Sequence, residues 1–541
     1  MRVAPRLFLT VWLVYVLHFA TNVVRETYLA IALGDHLSVR VDEFVGLHPD
    51  LFEVPGRGAY INNNPGASML GALPYLAARP VIAGILRAKP ELARPKQSAT
   101  YDDPRPNRTK FLNEARARGL DVKLALAAAA MHAGLMAPLG ALAAVVVFLF
   151  LRARLGSERR ALWLALLYAF GTPIFFRSAF LNQNALVAHC VLFAYVLLAW
   201  PRARRAPATS AGADAEPIAA GAGAGVGPNA AGAAAWGPPP DFDDATATAS
   251  TPHHTTASAI TAFPGARALV GAGALLGLAL LCDYSGAPLV LAFGIWALAL
   301  GWRRGGIAGA VRGGALFTLG ALGPILVLWG YQWAAFGNPF FPAQRYMPAT
   351  EYSVHGWNGM TWPLPKLLLG NLLDPRYGLL AFCPMLAAAV VAPFLARRPG
   401  GPTRGELALI FGATIALLLF NSSILFALLQ WNTGVRYMVP AVPLLFFALV
   451  PVLLRLPEWA MWALVVPTVA VSWSVAMARE AVPISLERIF LRGFELPWLH
   501  VLEVTSGAYA PFLRYGSSPV PLFCLTGVVL WLLWRRARVA A

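Results

Sequence analysis

The sequence predicts an all-α membrane protein: about twelve transmembrane helices, with an extracytoplasmic first loop that carries interfacial helices. Three observations predict it. Of 541 residues, 58% are hydrophobic and only 13% charged, against about a quarter charged in soluble domains. The apolar residues gather into runs close to the ~20 that cross a bilayer. The arginines gather at alternate ends of those runs, as orientation by cytoplasmic basic loops requires. The net charge of +17 therefore marks membrane topology rather than a nucleic-acid partner.

Candidate spans lie at 7–24, 129–151, 160–177, 184–200, 266–282, 285–301, 314–335, 378–396, 405–425, 437–454, 459–476 and 519–534. The first follows Met1-Arg-Val-Ala-Pro-Arg6 and has no small-residue cleavage site after it, so it reads as an uncleaved helix. The fifth and sixth are separated only by Asp283-Tyr284, which also allows one bent or re-entrant element. With the N-terminus inside, the alternating inside loops hold Arg152 to Arg160, Arg202 to Arg205, Arg303-Arg304, Arg397 to Arg404, Arg455 and Arg535 to Arg538. Both termini are then cytoplasmic.

Residues 1–202 form an N-terminal membrane module whose first outer loop spans 25–123, and 263–541 a C-terminal one with outer loops 336–377 and 477–518. In the first loop, 66–88 carries Pro74, Pro80 and two arginines, and reads as one or two interfacial helices. The linker 203–262 is Ala, Gly, Pro and Thr with few charges, a composition too poor in apolar surface to order itself. Cys190, Cys282, Cys383 and Cys524 all sit in or beside apolar segments, with neither metal-site nor disulfide spacing.

Candidate chemistry gathers at the outer edges. Glu26, where the first helix emerges, is either a shielded general base or a helix-end charge paired with Arg25. Asp35, Asp42 and Glu43 follow; carboxylates in one loop can hold a divalent cation with a phosphate, activate a hydroxyl, or be a hydrated loop. Tyr60-Ile-Asn-Asn-Asn-Pro-Gly66 is a turn by composition, yet Asn63 and Asn64 offer amides suited to sugar hydroxyls. Asn182, Gln183, Asn184, His189 and Asp283 lie at other outer edges. Arg345, Arg376 and Arg436 stand outside, against the positive-inside bias, where a phosphate can accept two hydrogen bonds from one guanidinium. No Gly-rich phosphate loop accompanies them, and no resident cofactor is indicated.

Arg25-Glu-Thr-Tyr-Leu-Ala-Ile-Ala32 after the first span, the Tyr60–Gly66 turn running into 67–88, Phe336-Gly-Asn-Pro-Phe340, Asp374-Pro-Arg-Tyr-Gly-Leu379 with Cys383-Pro384, and Gly434-Val-Arg-Tyr-Met-Val-Pro440 together resemble the GT-C superfamily of polytopic glycosyltransferases. The likeness is to bacterial relatives of the protein O-mannosyltransferases and of the lipid A aminoarabinose transferase. It implies an inverting transferase of the cell inner membrane. Such an enzyme moves a sugar from a polyprenyl-phosphate donor to a lipid, glycan or protein acceptor on the outer side. It further implies a carboxylate base, with arginine at the leaving phosphate. Arg25 departs from the pattern, because it stands where the family has its first acid; the base is then Glu26 alone, or Asp35 or Asp42. The alternative, a twelve-span flippase or transporter, predicts ionisable groups at mid-membrane.

Overall fold

A computed structural model of the chain describes residues 3–96, 106–200, 264–395, 401–432, 434–505 and 518–535. The linker 203–262 lies outside the described residues. The chain is mostly helical, 74%, and residues 1–200 and 263–541 build one compact unit.

The helices follow the apolar runs. The N-terminal set is α1 (Val3–Leu17), α2 (Arg25–His36), α3 (Gly66–Ala88), α4 (Pro106–Ala117), α5 (Asp121–Met131), α6 (Ala137–Leu155), α7 (Glu158–Gly171), α8 (Ile174–Arg177) and α9 (Gln183–Ala199). Beyond the linker come α10 (Ala266–Cys282), α11 (Gly286–Phe336), α12 (Pro365–Leu373), α13 (Leu379–Phe382), α14 (Arg404–Ser422), α15 (Val442–Leu453), α16 (Glu458–Ala478), α17 (Val482–Arg492), α18 (Pro497–Thr505) and α19 (Val520–Trp534). Local chemistry sets their ends. Gly156, in the left-handed region at φ +70°, terminates α6, and Thr403 with Glu406 forms a capping box on α14.

Among the described residues, five stretches are long and apolar enough to cross a membrane: Gly66–Ala88, Asp121–Leu155, Gly286–Phe336, Arg404–Ser422 and Glu458–Ala478. The second joins α5 to α6 through a π-helical turn at His132–Met136. The third is a helical hairpin, because Gly306 at φ +55° and ψ −140° breaks the helix and folds its halves back together. Helix α3 is one continuous helix where one or two interfacial helices were expected. It runs unbroken through Pro74 and Pro80 and qualifies by length and composition as a span. A span also departs at 384–395, which winds as 3₁₀ helix.

The first loop holds one element that the helical reading did not anticipate. Strands β1 (Leu51–Val54) and β2 (Gly58–Ile61) pair antiparallel with Leu51 opposite Ile61, turning through Pro55-Gly56.

Two polar clusters lie at opposite ends of α9. At one end Arg154 of α6 meets Glu406 of α14 and the Ala199 carbonyl closing α9. At the other, the start of α2, the base of the hairpin, the start of α9 and the end of α10 converge. Helices α9 and α10 thus run antiparallel, the start of one beside the end of the other.

Candidate functional site

Glu26 sits in the first turn of α2, where the helix dipole favours an acid. It is 1% exposed, so it is not a solvated helix-end charge, although Arg25 does pair with it. Its Oε1 accepts from Arg25 Nε at 3.0 Å and from Asn63 Nδ2 at 3.0 Å. Gln183, at the start of α9, completes the cage. With its amide turned to satisfy its neighbours it donates to the same Oε1 at 3.0 Å and accepts from Arg25 Nη2 at 3.0 Å. Among the described residues, no hydrogen bond ends on Oε2.

The hairpin supplies the second carboxylate. Asp50 precedes β1 and Asn62 follows β2, so the strand pairing brings them face to face. The Asn62 N–H donates to the Asp50 carbonyl at 3.0 Å and its Nδ2 to Asp50 Oδ1 at 2.9 Å. Asp50 Oδ2 takes Arg25 Nη1, so one guanidinium bridges two acids. Burial alone would raise the Asp50 carboxyl, but the charge and hydrogen bond of Arg25, with His48 and Arg436, together outweigh burial and hold it below the usual carboxylate value. For Arg25 the same contest runs the other way: burial opposes its charge, and Glu26 and Asp50 hold it protonated more firmly than usual. His48 Nδ1 accepts from the Asp50 N–H at 3.1 Å. Burial pushes this imidazole below its ordinary value despite Asp50.

The three asparagines divide the work. Asn62 secures Asp50 and Asn63 reaches Glu26. Asn64 Nδ2 donates to the Leu280 carbonyl at 2.7 Å, docking the turn on the end of α10. Only glycine fits at Gly66, since a Cβ there would lie 2.7 Å from the Leu281 carbonyl carbon and oxygen.

Arg436 borders this cluster. Its charge acts on both His48 and Asp50. It is half-buried; Nη2 donates to Tyr437 Oη at 2.7 Å, while Nε is buried without a hydrogen-bond partner. It makes no ion pair among the described residues. Arg177, at the end of α8, and Arg479 flank the ring of Phe180 at 5.2 and 5.0 Å, and Arg177 lies within electrostatic reach of Glu26 and Arg436.

The other expected residues lie apart. Asp35 is taken up by Tyr75 Oη at 3.0 Å, Arg79 Nε at 3.0 Å and Lys123 Nζ at 2.8 Å. It comes near His36 and Glu43, but two cations and a phenol already occupy its oxygens, so the trio does not fit a divalent cation. Asp42 pairs with Arg40 at 2.6 Å and accepts from the Ala59 N–H at 2.6 Å, steadying the hairpin. Tyr60 Oη donates to the Arg57 carbonyl at 3.0 Å and its ring meets Phe336. Asp283 caps the turn into α11 by accepting from the Ser285 N–H at 2.8 Å. Asn182 caps α9 in the same way. His189 lies fully buried further along α9 against Phe193. Arg376 is exposed and forks onto Asp374 at 2.7 and 3.0 Å. Arg345 is exposed, beside Gln344, whose amide donates to the Asn62 carbonyl.

Asp50 and His48 were not singled out from sequence. The signal available was the Pro55-Gly56 turn between two short apolar runs, which makes Asp50 and Asn62 equidistant from the bend. No family model, no curated protein and no solved structure matches this chain.

Proposed function

We propose that this chain is an inverting glycosyltransferase of the bacterial inner membrane. It spans the membrane about twelve times with both termini in the cytoplasm, and takes its sugar from a polyprenyl phosphate. The observation that carries the reading is one convergence: a buried carboxylate with one oxygen caged by three donors and the other unused, beside a guanidinium with an unused donor. The first-loop origin of Glu26, Asp50 and Asn63 supports an extracytoplasmic site, given an N-terminus inside.

The chemistry follows from these positions. Arg25, Asn63 and Gln183 fix Glu26 through Oε1. Oε2 takes the proton of the acceptor hydroxyl as that oxygen attacks the anomeric carbon. The bond from the anomeric carbon to the phosphate oxygen breaks on the opposite side, and its electron pair leaves with the phosphate. Attack from the far face inverts the anomeric centre. Arg436 stabilises the charge growing on the leaving phosphate, donating from Nε and along its free edge. Asp50 keeps Arg25 oriented, so that Arg25 cages the base rather than meeting the phosphate. The acceptor is a lipid, glycan or protein hydroxyl reached from the same side.

The test supplies purified full-length protein with radiolabelled polyprenyl-phosphate sugars and envelope extract. Wild type transfers label, and the E26Q variant does not. Absence of transfer with every donor, or undiminished transfer by E26Q, would sink the reading. Counterflow of a labelled substrate in sealed vesicles without any transfer would replace it by transport.

A further inference from the structure

Arg436 reaches the site on a segment, 434–438, that belongs to no helix or strand. Such a segment cannot aim a guanidinium unless something else holds its backbone. Four buried polar side chains do so. Gln430 Oε1 accepts from the Tyr437 N–H at 3.0 Å, and Asn421 Nδ2 donates to the Tyr437 carbonyl at 3.0 Å. Gln430 Nε2 donates in turn to Asn371 Oδ1 at 2.8 Å, and Asn371 Nδ2 to Ser422 Oγ at 3.4 Å. Asn371, Asn421, Ser422 and Gln430 are each 0 to 1% exposed. Tyr437 passes the order on. Its Oη accepts from Arg436 Nη2, and its ring lies 4.6 Å from the guanidinium carbon. The Tyr437 phenol also falls within electrostatic reach of Arg25, so it lies near both the proposed phosphate contact and the cage around Glu26.

We infer that Asn371, Asn421 and Gln430 form an amide clamp that positions Tyr437 and, through it, Arg436 for the donor phosphate. The inference rests on the proposed role of Arg436. Buried amides are costly in apolar surroundings unless every group is paired, and a fully paired network fixes one geometry. Here the network ties three segments, α12, the end of α14 and the stretch before α15, to the two peptide groups that flank Tyr437. Asn371 comes from the 336–377 segment, so the clamp also couples that loop to the site.

Two measurements on full-length protein in detergent test it. The first is hydrogen exchange at the Tyr437 amide. Q430L and N371L should speed it by about 10- to 100-fold over wild type. Q430E keeps an acceptor for that N–H, and the Asn371 amide can turn to donate to it, so it should restore slow exchange. Unchanged exchange in both leucine variants overturns the clamp, whatever the protein does. The second is binding of a polyprenyl monophosphate, with KM and kcat for its sugar-charged form. Misplacing a binding group by about 1 Å costs on the order of 10²-fold, so Q430L and N421S should raise KM by about 10- to 100-fold. Because Arg436 also meets charge that grows in the transition state, their kcat should fall as well, and Q430E should recover both. Fast exchange with wild-type binding and KM would overturn the positioning role and leave a merely structural one. Wild type that neither binds nor transfers would instead remove the proposed function, while the exchange result still decides the clamp.

Discussion

At one end of the bundle Arg154 meets Glu406; at the other Arg25 meets Glu26 and Asp50. Both clusters bury charge among helices, yet they use their donors and acceptors to different extents. In the first, Arg154 Nη1 and Nη2 fork onto both oxygens of Glu406, and the Thr403 N–H adds a bond to Oε2 at 2.7 Å. Arg154 Nη2 also donates to the Ala199 carbonyl at 2.9 Å, and the guanidinium lies 4.5 Å from the Phe150 ring centre. Neither oxygen of Glu406 is left without a donor. In the second, Glu26 Oε2 receives no donor among the described residues and Arg436 Nε is unmatched. Burying a charge costs several kcal/mol per ion, and full pairing is what offsets it. A saturated pair is therefore accounted for by structure alone. An unsaturated one, kept at the same cost, calls for a ligand.

The sharpest way to break this contrast is to remove one negative charge from each cluster without changing shape. Glu26→Gln should lower sugar transfer by about 10²- to 10⁴-fold, the usual contribution of a general base. Thermal unfolding in detergent should move by only a few degrees, because the amide still offers an oxygen to Arg25 and Asn63. Glu406→Gln should do the opposite. It leaves Arg154 charged and unmatched, and breaking a buried pair costs about 3–5 kcal/mol. Transfer per folded molecule should stay within about twofold of wild type, given its distance from the site. If both variants lose activity and stability together, saturation does not separate structure from function here.

The Glu26 end should also answer pH. Asp50 and His48 both have folded-state values below their ordinary ones. In each case the unfolded chain binds the proton more readily. The stability each contributes is therefore complete above its unfolded value and disappears as pH falls to its folded value. The His48 part begins to fade below about pH 6.5, and the Asp50 part below about pH 4. Unfolding temperature should thus fall between about pH 6.5 and 5 in wild type, and His48→Asn should make that stretch less steep by the part His48 supplies. An identical slope in the variant would show that the acid sensitivity arises elsewhere.

The bundle was legible in the sequence because its signals are local. A run such as 405–425 or 459–476 declares a helix by itself, and the arginines at 152–160 declare an end. The site was legible only where local. Glu26 and Asn63 were visible as an acid at a helix start and an amide in a turn. Their meeting, 37 residues apart, depends on the hairpin between them. Asp50 looked like a loop acid because its role comes from a strand register rather than its neighbours. Gln183 lies far along the chain from Glu26, and the two meet only because α2 and α9 bring their N-termini to the same end. The choice among Glu26, Asp35 and Asp42 could not be made from position, since it turns on which acid has its oxygens already occupied.

Asp35 gives the contrast its gentlest test, because it is a first-loop acid like Glu26 but is saturated like Glu406. Tyr75, Arg79 and Lys123 already fill its oxygens, and Arg79 is about half exposed, with 48% of its side chain open to solvent. Water screens the Arg79 pair but less so Lys123 and Asp35, so Asp35→Asn should cost about 1–2 kcal/mol, below the loss at Glu406. The amide oxygen still accepts from Tyr75, and one of the two cations loses little by turning to solvent. Transfer should remain within about twofold of wild type, because Asp35 meets α3 and α5 rather than the Glu26 cage. A chelator should likewise leave transfer unchanged if the Asp35, His36 and Glu43 trio holds no cation. The measurements are unfolding temperature and initial rate, each with and without chelator. A loss at Asp35 comparable to that of Glu26→Gln would move the base to Asp35 and detach the unused Glu26 oxygen from the chemistry. A near-silent Asp35→Asn beside a dead Glu26→Gln would instead tie function to the free oxygen itself, since both acids share the loop, the sign of charge and the presence of an arginine partner.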